Sequence, residues 1–236
     1  MGFRGRVVGW FGLRRRSLSS ILVVSMVAAS LAVVGAGAEQ AGASIEAGAV
    51  YVSTPASGKV GGVRFRDEDI LRYDADTSIW SMLFDGSDVG LRNADVNGFH
   101  IMDDGDPATL DPILITLHRD RRVSGLSQRV RRADVIRFDP TSLGTDTSGS
   151  WSWYFDGSDV GLTRSGEGID AVALDPAGRL VLSTEGRSSV PGSSGRLVTQ
   201  DEDLIVFDHS SLGSHTAGTF SLHFDGSDVG LTRPML

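Results

Sequence analysis

From Gly48 onward, short runs of alternating apolar and polar residues recur, separated by clusters of Gly, Pro, Asp and Ser. Alternation with a period of two puts successive side chains on opposite faces of a half-buried strand. GIDAVALDPAGRLVLST (Gly168–Thr184) is the clearest case. Its two runs predict strands over Ile169–Leu174 and Leu180–Thr184, with Asp175-Pro176-Ala177-Gly178 as the turn between them. Pro presets φ at the second turn position, and Gly accepts φ > 0. Further strands are expected over Leu204–Asp208 and Thr219–Phe224. No stretch of this region carries an amphipathic helix pattern with caps. Arg119–Arg132 comes nearest, and Gly125, Val123 and Val130 weaken it.

The runs belong to a repeat. FDGSDVGL stands at Phe84–Leu91, again at Phe155–Leu162 and again at Phe224–Leu231. Upstream of the three copies lie DEDILRYD (Asp67–Asp74), RADVIRFD (Arg132–Asp139) and DEDLIVFD (Asp201–Asp208). The spacing from Asp139 to Asp156 equals that from Asp208 to Asp225, and the spacing from Asp74 to Asp85 is six residues shorter. GAVYVST (Gly48–Thr54) matches GRLVLST (Gly178–Thr184), so the first unit is expected to lack its leading strand. The units run over 44–91 (incomplete), 92–162 and 163–231, followed by a tail at 232–236. Each complete unit reads as four strands, eleven in all. The expected fold is all-β, built of tandem four-stranded units that resemble β-propeller blades. The excess length falls in the loop between the second and third strands, such as Gly186–Gln200. Propellers usually have about four to eight blades. Three units therefore leave three alternatives: two chains closing one ring; an open β-repeat or another β architecture such as a sandwich or solenoid; or a truncated member of a longer-repeat family.

Before Gly48 the pattern changes. MGFRGRVVGWFGLRRR carries five arginines and no acid, and ILVVSMVAASLAVVGAGA after it is apolar. Ala36-Gly37-Ala38 and Ala41-Gly42-Ala43 then offer small-residue cleavage sites. A basic start, an apolar run and an A-x-A site predict a secretory signal peptide over 1–43, cleaved after Ala38 or Ala43. The mature chain is expected to be secreted or extracytoplasmic. Uncleaved, the same run would be a membrane anchor close to the lower length limit for a span. Cleavage after Ala43 removes five arginines and one glutamate from a net charge of −8, leaving −12. Nucleic acid is not expected as a partner, because its phosphates require a cationic footprint. The chain has no cysteine, which excludes disulfides, thiol catalysis, zinc-thiolate sites and iron–sulfur clusters. The expected partners are a second copy of the chain, or an extracellular protein or glycan.

The motifs also resemble those of a family of secreted bacterial proteins of unknown function. The resemblance rests on Asp170–Thr184, Val190–Gly192, Asp201–Gly213 and Phe224–Leu231, and it spans essentially the whole mature region. It implies tandem repeats and no established activity. The middle unit departs from the pattern at Arg132-Ala133, where the other units have Asp-Glu, and at Val123-Ser124-Gly125, where the third has Val-Pro-Gly.

The octapeptide is the main candidate for chemistry. Asp85 and Asp88, Asp156 and Asp159, and Asp225 and Asp228 are candidate ligands for calcium, a hard cation that prefers oxygen donors. Asp69, Asp134 and Asp203 are potential additional ligands. The frame is not an EF-hand loop: Val89 falls at a ligand position, and Val96 stands where the closing Glu belongs. The competing reading is a turn with Asx-type bonding, in which Gly90 takes φ > 0 before Leu91 enters the core. Glu167, Asp170 and Glu185 are the acids available for a glycosidase-like pair. Repetition argues against that role, because a catalytic pair is normally unique while scaffold residues recur. The histidines show no zinc spacing, and no G-x-S-x-G elbow is present. Trp80, Trp153 and Phe220, together with Phe84, Phe155 and Phe224, are read as matched packing positions, and Trp151 or Tyr154 as possible sugar-stacking residues. The expected function is a non-catalytic structural or interaction domain. The alternatives are a calcium- or carbohydrate-binding module and, behind it, a secreted hydrolase.

Overall fold

The computed structural model describes residues 23–26, 48–103, 105–106 and 108–231. The signal peptide, its cleavage sites and the tail at 232–236 lie outside the described residues, apart from Val23–Met26.

The fold is all-β, and three antiparallel sheets carry the three units. β1 (Val23–Met26) precedes the first unit, which contains β2 (Ala49–Ser53), β3 (Gly58–Val60), β4 (Val63–Phe65), β5 (Ile70–Asp74) and β6 (Ile79–Phe84). The second contains β7 (Val96–Ile101), β8 (Ile113–Leu117), β9 (Arg121–Arg122), β10 (Arg129–Val130), β11 (Val135–Ser142) and β12 (Ser148–Phe155). The third contains β13 (Ile169–Leu174), β14 (Leu180–Thr184), β15 (Ser188–Gly192), β16 (Gly195–Thr199), β17 (Leu204–Ser211) and β18 (Ala217–Phe224). The sheet orders are β1-β2-β5-β6, β7-β8-β11-β12 and β13-β14-β17-β18, the last extended through β18 by β15 and β16. Each sheet thus holds a four-stranded meander, and the loop between its second and third strands forms a hairpin. Among the described residues the three sheets do not close into a propeller ring.

Within 44–91 the first unit has no leading strand of its own, as expected, and β1 from the preceding apolar run takes that place, pairing with β2 from Val23↔Ser53 to Met26↔Val50. With β1 the three meanders hold twelve strands among the described residues, against the eleven expected from residue 44 onward, and the extra one comes from the apolar run before the first repeat. The segment 119–132, where Gly125, Val123 and Val130 weaken any helix pattern, contains the short ladder β9–β10.

The core lies between sheets. Every residue of β8 is buried. Ile113, Ile115 and Leu117 face a core shared with the first unit, whereas Leu114 faces one shared with the third. The middle sheet is covered on both faces, which is why PILITL reads as a continuous apolar run. Aromatic residues fill both layers, in a register that differs from the expected one. Tyr73 pairs with Trp80, Phe138 with Trp151 and Phe207 with Phe220. The three ring pairs share a centroid separation of 4.8 Å. Trp151, not Trp153, is therefore the counterpart of Trp80 and Phe220. Each of these residues stands four positions before the Phe of FDG.

Candidate functional site

The octapeptide begins where the last strand of a unit ends and leads into the next unit. Phe84 is fully buried. Its ring lies 5.2 Å from Phe138 of the second unit at an interplanar angle of 77°, an edge-to-face contact. Phe155 repeats this against Phe207 at 5.1 Å and 80°. Next, Asp85 Oδ1 accepts the Ser87 backbone N–H at 3.0 Å and the Ser87 hydroxyl at 2.7 Å, an Asx-type turn. Leu91 N–H closes the turn on the Gly86 carbonyl at 2.8 Å, and Gly90 takes φ +88°, the left-handed conformation that glycine adopts without a Cβ penalty. Leu91 is then delivered to the core, fully buried. Asp156, Gly161 (φ +93°) and Leu162 repeat the pattern.

The glycine of FDG has a different reason. A Cβ on Gly86 would stand 2.2 Å from the Glu68 carbonyl oxygen, and one on Gly157 would stand 2.1 Å from that of Ala133. This close approach lets Asp69 clamp the turn. Its Oδ1 accepts the Gly86 N–H at 3.1 Å while its Oδ2 accepts the Arg66 N–H at 2.8 Å. Asp134 does the same for Gly157 and Arg131, and Asp203 for Gly226 and Gln200. Burial pushes the Asp69 carboxyl up to about 6 and the Asp134 carboxyl up to about 7, against the lowering effect of their backbone donors.

Asp88 and Asp159 act between units. Asp88 Oδ2 accepts the Thr147 backbone N–H at 3.0 Å, and the Asp85 N–H donates to Thr147 Oγ1 at 2.9 Å. Asp159 accepts from Thr216 at 2.9 Å, and Asp156 N–H donates to Thr216 Oγ1 at 2.8 Å. The two threonine hydroxyls donate in turn to Gly144 and Gly213 carbonyls. Those glycines donate their own N–H groups to Leu83 and Tyr154 carbonyls. Trp151 Nε1–H adds a bond to the Val89 carbonyl at 3.0 Å. The acceptor is thus a Gly-x-x-Thr tip, Gly144–Thr147 or Gly213–Thr216, on the hairpin between the third and fourth strands of the next unit. The sequence carries this signal as a repeated Leu-Gly-x-x-Thr, overlooked beside the more conspicuous octapeptide.

The third octapeptide keeps its internal geometry. Asp225 accepts from Ser227, Gly226 donates to Asp203, and Gly230 has φ +85°. No following unit covers it among the described residues. Phe224, Val229 and Leu231 are 36%, 63% and 56% exposed. The Ser227 hydroxyl holds the exposed Asp225 carboxyl below its usual range.

Of the six aspartates expected as calcium ligands, those of the first two copies accept backbone N–H bonds within or between units. Among the described residues, no group of three or more His, Asp or Glu side chains is arranged to hold a metal ion. Each acid offered for hydrolysis accepts hydrogen bonds from other groups of the protein. Glu167 is buried and accepts the N–H groups of Thr163, Arg164 and Ser189. Asp170 accepts the Ser183 hydroxyl. Glu185 accepts from Asn97 and pairs with His118 at 2.9 Å and Arg132 at 3.4 Å, tying the third unit to the second. A cleft of about 780 Å³ lies between the first and second units, lined by Arg64, Trp80, Ser142, Gly144 and Asp146 among others. Trp151 packs inside the first core rather than lining that cleft. None of the described helices is long and apolar enough to cross a membrane. No protein-family model matches the chain, and no curated protein matches it.

Proposed function

We propose that this chain is a secreted, non-catalytic interaction module whose repeated octapeptides join one β unit to the next. The observation that carries the reading is the bonding of Asp88 and Asp159. In both interior copies these carboxylates reach across to the backbone N–H of a threonine in the following unit, and the paired Asp85 and Asp156 N–H groups bond the hydroxyl of the same threonine. Secretion is supported by the basic and apolar N-terminal pattern. The calcium-binding alternative is tested by melting the protein with and without millimolar calcium chloride. An ion that binds the folded state raises the melting temperature by mass action. The module reading expects no shift. A rise that disappears on replacing Asp88, Asp159 and Asp228 would establish calcium binding instead.

A further inference from the structure

The third octapeptide is the same device as the other two, with its outward half unfilled. Leu91 and Leu162 are buried where Leu231 is exposed, and Phe84 and Phe155 are fully buried where Phe224 is not. What covers such a surface is visible twice within this molecule. It is a hairpin whose Gly-x-x-Thr tip receives the Asp N–H and donates to the second Asp, and whose aromatic pair receives the Phe edge.

Among the described residues both hairpins of this type are occupied, the second unit's by the first octapeptide and the third unit's by the second. The first unit offers no substitute. Its β5–β6 connection is six residues shorter and has no Gly-x-x-Thr tip. Instead, Asp74 Oδ1 closes it tightly by accepting the Asp76 and Thr77 N–H groups at 3.1 and 2.9 Å. Trp80, the first unit's counterpart of the receiving aromatic, already lies against Gly61 of the β3–β4 hairpin. Among the described residues, a second copy of the chain therefore has no free Gly-x-x-Thr hairpin to offer Phe224–Leu231.

We infer that the Phe224–Leu231 surface is a docking site for a further β unit, one bearing a Gly-x-x-Thr hairpin tip beside an aromatic pair. The inference rests on the junction reading above. The surface would bury the Phe224 and Leu231 side chains, bond the Asp225 N–H to the partner's threonine hydroxyl, and bond Asp228 to that threonine's N–H.

The test uses the full chain carrying one additional unit, a copy of residues 163–231 joined directly after Leu231, followed by hydrogen exchange and chemical denaturation. Docking predicts that exchange at the Asp225 amide slows by about tenfold or more relative to the native chain, as expected for a newly buried hydrogen bond. It also predicts that Asp228→Ala destabilises the four-unit chain but not the native one. An added unit that leaves Asp225 exchange unchanged overturns the inference, whether that unit folds apart or stays unfolded. Self-association of the native chain that Phe224→Ser abolishes also overturns it, because the occupant would then be a second copy. Asp88→Ala measured alongside separates the two levels. If it has no effect on stability, the junction reading itself fails. If it destabilises while the added unit does not dock, only the inference fails.

Discussion

Gly86 and Gly157 stand where one methyl group would lie 2.2 or 2.1 Å from a backbone carbonyl oxygen, far inside contact distance. Gly157→Ala must therefore separate the turn from the Arg131–Asp134 segment, and the Asp134 clamp opens with it. The expected loss of unfolding free energy is about 1–3 kcal/mol or more, as for other overpacked sites. Gly125→Ala is the control, because its Cβ would meet nothing within 4 Å and only the positive φ opposes it. Urea denaturation of both variants measures the difference. The clamp itself should be sensitive to pH. With its folded pKa raised to about 7 by burial, Asp134 stays protonated in the folded state over a range where the unfolded side chain has ionised. Its contribution is fully present below the unfolded carboxyl pKa and is lost as pH rises through about 7. Asp134→Asn removes that dependence. The stability gap between wild type and Asp134→Asn should then be widest near pH 4 and narrow towards pH 8, measured by denaturation across that range. A gap that widens with pH would mean that the ionised carboxylate, with its two N–H donors, is the stable form.

At the level of elements, much was legible from alternation alone. β13 and β14 occupy the predicted spans, because each is an uninterrupted period-two run bounded by turn residues. The predicted third and fourth strands of the last unit are longer in the structure, β17 reaching Ser211 and β18 starting at Ala217. Those extensions, through His209, Ser210 and Gly218, are polar or small and carry no apolar periodicity. The β15–β16 hairpin lies where the sequence predicts a loop for a similar reason: SSVPG and GRLVT hold too few apolar residues to mark strands. The aromatic register falls on Trp151 rather than the expected Trp153 because four closely spaced aromatics in WSWYF leave the face ambiguous until the cross-strand pairing is known. The candidate site was half legible. The Asx turn and the positive φ of Gly90 follow from residue type, whereas the reach of Asp88 to Thr147, 59 positions away, depends on how two sheets pack. β1 was hidden because its sequence matches a signal peptide. If that segment is removed, β2 becomes a sheet edge with unpaired backbone groups. A chain beginning at Ser44 should therefore show faster amide exchange within Ala49–Ser53 than the full-length chain, while the corresponding strands β8 and β14 stay protected. Equal exchange in the two chains would contradict the pairing of β1 with β2.

The whole molecule behaves as a stack in which each unit contacts its neighbours, so its stability should be a sum of unit and interface contributions. Two interfaces are complete and each has the same polar pair beside the same aromatic contact. The third octapeptide supplies an internal control, identical in sequence and open on its outward side. The most direct measurement is the unfolding free energy of Asp88→Ala, Asp159→Ala and Asp228→Ala under one set of conditions. Removing Asp88 or Asp159 leaves a threonine N–H without its acceptor, so each should cost about 1–3 kcal/mol. Removing Asp228 breaks no bond between units and should change stability by no more than about 0.5 kcal/mol. Equal losses at all three positions, as three equivalent ligand sites would give, would contradict the assignment of the octapeptide to joining units.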